Sequence, residues 1–177
     1  MSIKSTVTAD LRVCGFKVDE KSGFFKILKY FIYSAILKPA FLCVFLYRVN
    51  RKIRKFGIFA KLLSVYRFYV FGIDISFLSK IGPGFKISHV SDIVIGAGVE
   101  IGSNFHVYNG VTIGAKNFEK PDEKPIIGNN VTIGSGAKVL GDIKIGNNVQ
   151  IGALTFCNKS VPDNSVAYGN PVQIINK

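Results

Sequence analysis

Histidine is almost missing from this 177-residue chain, which holds only His89 and His106. A zinc site of the three-histidine kind used by hydratases has too few ligands here, and no metal is expected. Cysteine is scarce and odd in number: Cys14, Cys43 and Cys157 show neither metal-binding nor redox spacing. That fits a reducing cytoplasm better than a disulfide-bonded secreted fold. The first twenty residues also lack the apolar core of a secretory signal, so a cytoplasmic location is expected. Acidic side chains are few as well, 11 against 23 Lys and Arg, for a net charge of +12.

The excess charge is unevenly placed. Residues 1–71 carry 14 basic and 3 acidic side chains, a net +11, while residues 72–177 carry 9 and 8, a net +1. The front part is also apolar: Phe24 to Lys38 and Pro39 to Tyr47 are dense in aromatic and aliphatic residues, and Val49 to Lys55 is a basic cluster. Pro39 can open a helix but breaks one that runs through it, which predicts two or three helices over residues 24–71. A membrane span needs about 20 apolar residues, and the window Tyr30 to Tyr47 is short and holds Lys38. Apolar faces flanked by Lys and Arg suit peripheral contact with an anionic membrane surface through residues 24–67, at the inner membrane face. Packing of the same aromatics in a subunit interface is the alternative. Nucleic acid is not expected, because no recognised motif accompanies the basic residues.

What the chain has in abundance is a six-residue beat. Ile-Gly pairs occur at Ile81, Ile95, Ile101, Ile113, Ile127, Ile133, Ile145 and Ile151. From Ile75 to Cys157 an apolar residue recurs every six positions, with a two-residue insertion before Ile95 and an eight-residue one before Ile127. A second apolar series runs two positions earlier, from Ile73 through Phe85, Val99 and Val131 to Val149. Neither the helical period of 3.6 nor the strand period of 2 keeps that rhythm, whereas a parallel β-helix does. The chain therefore divides into a helical segment, 1–71, and a β-helix, 72–177, with a loop over 115–126.

His89 falls where the beat is broken, and Asp74 lies fifteen residues before it, close to one coil. Successive coils sit about 4.8 Å apart, so the pair is expected to meet across adjacent coils. An Asp that holds one imidazole nitrogen leaves the other as a base for a hydroxyl. His106, next to the inward Val107, is expected on the surface.

From Gly72 onward the chain resembles the hexapeptide-repeat acetyltransferases of the serine-acetyltransferase branch. The resemblance rests on GIDI (72–75), KIGPGFKISH (80–89), IVIG (93–96), GVTIGA (110–115), the run 127–153 and SVPDNSVAYGNPVQII (160–175). It implies a left-handed β-helix assembled as a homotrimer, with acetyl-CoA as cosubstrate between neighbouring subunits. It implies His89 as general base, Asp74 as its partner, and backbone donors at Gly114 and Ala115 for the oxyanion. Ser135, Ala153, Asn158 and Lys159 are implied for the coenzyme, and Ser88, Asp92, Asn109 and Lys124 for the acceptor.

The departures are local. The branch carries Asp before its catalytic His and an Arg-His pair after its GVT motif; here these positions hold Ser88, Glu123 and Lys124. A short basic front segment is similar to the O-acetyltransferases of exopolysaccharide, capsule and O-antigen synthesis. The expected acceptor is therefore a sugar or lipid-linked saccharide hydroxyl, with serine as the alternative. A non-catalytic solenoid would show repeated outward residues such as Thr, whereas Glu100, His106, Lys138, Lys144 and Gln150 are mixed.

Overall fold

The computed structural model describes residues 3–117 and 119–176. Among them four α-helices precede fifteen short strands. The helices are α1 (Ile3–Val13), α2 (Phe24–Leu37), α3 (Pro39–Lys52, continued by a 3-10 turn Ile53–Lys55) and α4 (Gly57–Phe71). Three of them fall within 24–71 as the sequence predicts, and Pro39 takes the first turn of α3. No single described helix is long and apolar enough to cross a membrane, although α2 and Pro39–Lys55 form an apolar pair bent by 111°.

The strands wind as a β-solenoid of about five turns, the parallel β-helix that the hexads predict, with the left hand that the resemblance implies. One face stacks β1 (Ile73–Ile75), β4 (Ile93–Ile95), β7 (Thr112–Gly114), β10 (Lys138–Leu140) and β13 (Phe156–Cys157). A second stacks β2 (Lys80–Ile81), β5 (Glu100–Ile101), β8 (Ile126–Ile127) and β11 (Lys144–Ile145). The third stacks β3 (Lys86–Ser88), β6 (His106–Tyr108), β9 (Thr132–Ile133), β12 (Gln150–Ile151) and β14 (Ser165–Tyr168), and β15 (Gln173–Asn176) closes it antiparallel to β14. Both hexad series point inward: every member from Ile73 to Cys157 is buried in one core. Each Val, Ile or Phe among them contributes about 1.5–3 kcal/mol relative to exposure.

The corner between the second and third faces shows why Gly and Asn recur. A side chain at Gly82 would meet the Gly102 carbonyl at 2.6 Å, and one at Gly102 would meet the Gly128 carbonyl at 2.7 Å. Beside this column Asn104, Asn130, Asn148 and Asn164 hold left-handed backbone and pass amide hydrogen bonds from coil to coil at 2.9–3.0 Å. Asparagine tolerates that backbone better than most residues.

The helices share the solenoid's core. Cys43, Val44 and Tyr47 of α3 belong to the same buried cluster as Ile73 and Phe85. The Tyr47 hydroxyl donates to the Ser79 carbonyl (3.0 Å) and accepts from the Ile81 amide (3.2 Å). Helix α1, which no periodicity predicts, is tied down by Asp10, whose carboxylate accepts from the Gly84 and Phe85 amides, each at 2.9 Å.

Candidate active site

The corner between the third and first faces collects half of the predicted site residues. Its backbone forms a ladder: the Asp92 amide donates to Gly72 (2.8 Å), Gly110 to Ser91 (3.1 Å), Gly136 to Asn109 (2.9 Å) and Leu154 to Ser135 (2.8 Å). His89, Asp92, Asn109, Ser135 and Ala153 thus lie along one edge, the first two in one coil and the others one coil apart. The Ser135 hydroxyl donates to Asn109 Oδ1 at 3.0 Å, and Lys138 Nζ donates to the Gly110 carbonyl at 2.8 Å. At the far end Ala153 is exposed and Leu154 is 78% exposed.

Asp74 and His89 are both brought near this corner, in one coil. Ile73 is in register with Ile93, twenty residues on, so Asp74 stands opposite Val94 rather than His89. The expectation of a pair facing across coils is corrected on that point. His89 sits in the turn that the Asp92 to Gly72 bond holds beside the entry to β1, with left-handed backbone (φ 62°). Both side chains are exposed, and among the described residues neither makes a side-chain hydrogen bond or ion pair. Catalytic hydrogen bonds are often long in unliganded sites and tighten with substrate. Beneath Asp74 lies a residue that sequence reading missed: Arg67 of α4 is fully buried and donates from Nη2 to the Ile75 carbonyl. Burial lowers its pKa, partly opposed by electrostatic interaction with Cys43, Asp74 and Tyr47.

His106 is also corrected. It faces away from the core as expected but is half-buried, with Nε2 2.7 Å from the Ser88 hydroxyl and its ring 4.6 Å from that of Tyr108. Tyr108 is in register with Ser88, and its ring centroid lies 6.4 Å from that of His89. Desolvation, with Lys86 adding to it, pushes the His106 pKa from 6.5 down to about 4. The unfolded chain takes up this proton as pH falls through 6.5 while the folded chain resists it until about 4, so stability declines over that window. Thermal melts from pH 7 to 4 should show a steeper loss for the wild type than for His106→Asn.

The remaining predicted residues lie elsewhere. Gly114 and Ala115 end β7 at the opposite corner of the first face, where Gly141 donates to the Gly114 carbonyl (3.0 Å). A three-residue strand, about 10 Å long, separates that corner from His89's. Asn158 and Lys159 share the far corner after β13. Lys124 lies over Gly98, where a side chain would meet its Nζ at 2.9 Å, and 3.8 Å from Asp122, not beside His89. Apart from Asp74 and Lys124, the predicted residues therefore form two edges flanking the first face. Among the described residues no group of three His, Cys, Asp or Glu is placed to hold a metal.

Comparison with known proteins agrees with this architecture. The bacterial transferase hexapeptide (six repeats) family model matches residues 124–159. A Helicobacter pylori serine acetyltransferase is 37% identical over 144 residues, covering 80% of this chain and 84% of the relative. The chain belongs to the serine acetyltransferase family. Another member, from Staphylococcus aureus, is 43% identical over 112 residues, where the match spans 63% of this chain and about half (52%) of that relative. Soybean serine acetyltransferase complexed with serine superposes with a TM-score of 0.83 at 29% identity, covering 97% of this chain and 68% of that one. The Brucella abortus serine acetyltransferase in complex with coenzyme A gives 0.82 at 27% identity, covering 97% and 67%. Both matches take in the helices as well as the solenoid.

Proposed function

We propose direct transfer in this acetyl-CoA-dependent O-acetyltransferase, with His89 as the general base. His89 takes the proton of an acceptor hydroxyl as its oxygen attacks the thioester carbon. The tetrahedral adduct then expels the coenzyme thiolate, which His89 reprotonates. In the liganded site Asp74 orients the imidazole and offsets its transient charge. The supporting observation is the single edge that stacks His89, Asp92, Asn109, Ser135 and Ala153 from coil to coil. The backbone donors at Gly114 and Ala115, with Asn158 and Lys159, lie on the other edge. We infer that a neighbouring protomer of a homotrimer brings the two edges together, with Lys159 meeting a coenzyme phosphate.

For the acceptor, the relatives favour serine over the sugar hydroxyl expected from the sequence, since they are serine acetyltransferases and one holds serine. Serine is the first reading. One observation favours a sugar instead: Ser88, next to His89, is engaged by His106 and gives an ammonium group no carboxylate. The His106 and Tyr108 rings form an uncharged aromatic platform suited to a pyranose face.

A thiol-release assay with acetyl-CoA and a panel of acceptors decides between them. Turnover with serine at a rate typical of enzymes supports the first reading. Turnover with saccharides or lipid-linked saccharides alone supports the second. No turnover with any acceptor, together with no acetyl-CoA binding, would make the chain a non-catalytic solenoid.

A further inference from the structure

We propose that the outward faces of α2 and α4, together with Lys52, Arg54 and Lys55 between them in the chain, dock this protein on a bilayer containing anionic lipid. Each helix buries one stripe against α3 and carries a second apolar stripe on the opposite side. On α2, Phe25, Leu28, Ile32 and Ile36 recur at helical spacing and are 37–84% exposed. On α4, Phe59, Leu62, Tyr66 and Tyr69 do the same at 53–81%. The described solenoid instead exposes large apolar residues singly, as at Leu78, Ile126 and Leu154. An exposed apolar stripe of this kind on each helix marks an interaction site.

Charge identifies the partner. Between Glu20 and Asp74 the sequence holds eleven Lys and Arg and no acidic residue. Four of these cations turn inward: Lys38, Arg48, Arg51 and Arg67 donate to backbone carbonyls, and Arg48 also pairs with Asp10. The other seven, Lys52, Arg54, Lys55 and Lys61 among them, are exposed, and none forms an ion pair among the described residues. Lys52, Arg54 and Lys55 rim a recess of about 580 Å³ whose apolar wall includes Val7, Phe45 and Val49. A cationic rim over an apolar wall matches a lipid phosphate and its glycerol and acyl base. A second copy would offer the same cations and a solenoid of net +1, with little counter-charge. A bilayer of anionic lipid supplies both the negative charge and the apolar depth.

Because α4 packs against β1, the strand of Asp74, docking sets the candidate site beside the membrane. That consequence rests on the proposed function; the docking itself does not.

The test is co-sedimentation of the full-length protein with phosphatidylcholine vesicles, with and without phosphatidylglycerol. Binding is expected only with phosphatidylglycerol and should weaken as salt rises. Replacing Lys52, Arg54 and Lys55 together with Gln is expected to lower vesicle partition by about 100-fold. Tyr69→Asp and Phe25→Asp should each lower it at least about tenfold while the solution mass of the assembly stays the same. These sites are exposed, and a thermal melt identifies any variant that has unfolded; the triple Gln variant, which alters no apolar packing, then carries the test. No binding to anionic vesicles, or equal binding to neutral ones, overturns the proposal. A change in assembly mass with unaltered vesicle partition also overturns it, by assigning the faces to self-association.

Discussion

Replacing His89 with alanine is expected to lower kcat at least about 100-fold while leaving the affinity for acetyl-CoA nearly unchanged, because a positioned base contributes about 10²–10⁴ in rate. Among the described residues this imidazole is exposed and makes no side-chain hydrogen bond or ion pair. Its backbone is the unusual feature. A left-handed φ of 62° at a histidine carries a local conformational cost, sustained here by the Ser91 to His89 and Asp92 to Gly72 hydrogen bonds. His89→Asn is accordingly the sharper variant, since asparagine accepts this backbone while supplying no base at neutral pH. Steady-state kinetics on both variants, with coenzyme affinity measured by calorimetry, separates the chemical step from binding. Retained turnover in His89→Asn would remove this residue from the mechanism and shift attention to Asp92, the exposed carboxylate three residues on.

The solenoid was legible because its energetics are written in one period. Ile81, Ile101, Ile127 and Ile145 must point inward in every coil, and the turns between them need Gly or Asn, so spacing alone places them. Which residues share a corner was also nearly legible: His89, Asn109, Ser135 and Ala153 come from successive coils. The coil-to-coil neighbour of Asp74 was less legible: it is Val94, because the pairing offset is twenty residues in the first coils, a value set by the insertion before Ile95. Tyr108 stands one such offset after Ser88, so that same spacing places it beside His89's turn. Arg67 carried no such signal. A cation in an apolar helix reads as exposed, and only the packing of α4 onto β1 turns it inward. Helix α1 was hidden for a similar reason: besides Leu11 and Val7, which pack on Val18, Ile27 and Phe41, its place over the solenoid depends on one buried carboxylate, Asp10.

That carboxylate gives the largest expected effect on stability. Asp10 is 2% exposed, receives the Gly84 and Phe85 amides, and pairs with Arg48 through Nε at 3.0 Å and Nη2 at 3.1 Å. Removing one partner of a buried, hydrogen-bonded ion pair costs about 3–5 kcal/mol, because the other charge and its donors stay buried without compensation. Asp10→Ala is therefore expected to lose about that much in denaturant titrations. The charge and the backbone bonds can be separated: Asp10→Asn keeps the side chain's volume and an Oδ1 that still accepts from both backbone amides, but it loses the charge and turns its NH2 toward Arg48 Nε, so it should recover only part of the loss. Arg48 also donates to the Ile81 and Gly82 carbonyls, which ties α1, α3 and the turn before β3 into one unit. In a double-mutant cycle Asp10→Ala and Arg48→Met should consequently fall well short of additive, because each alone strands the other's charge or donors. Additive losses, or a loss below about 1 kcal/mol for Asp10→Ala, would mean that the turn before β3 holds its shape without α1.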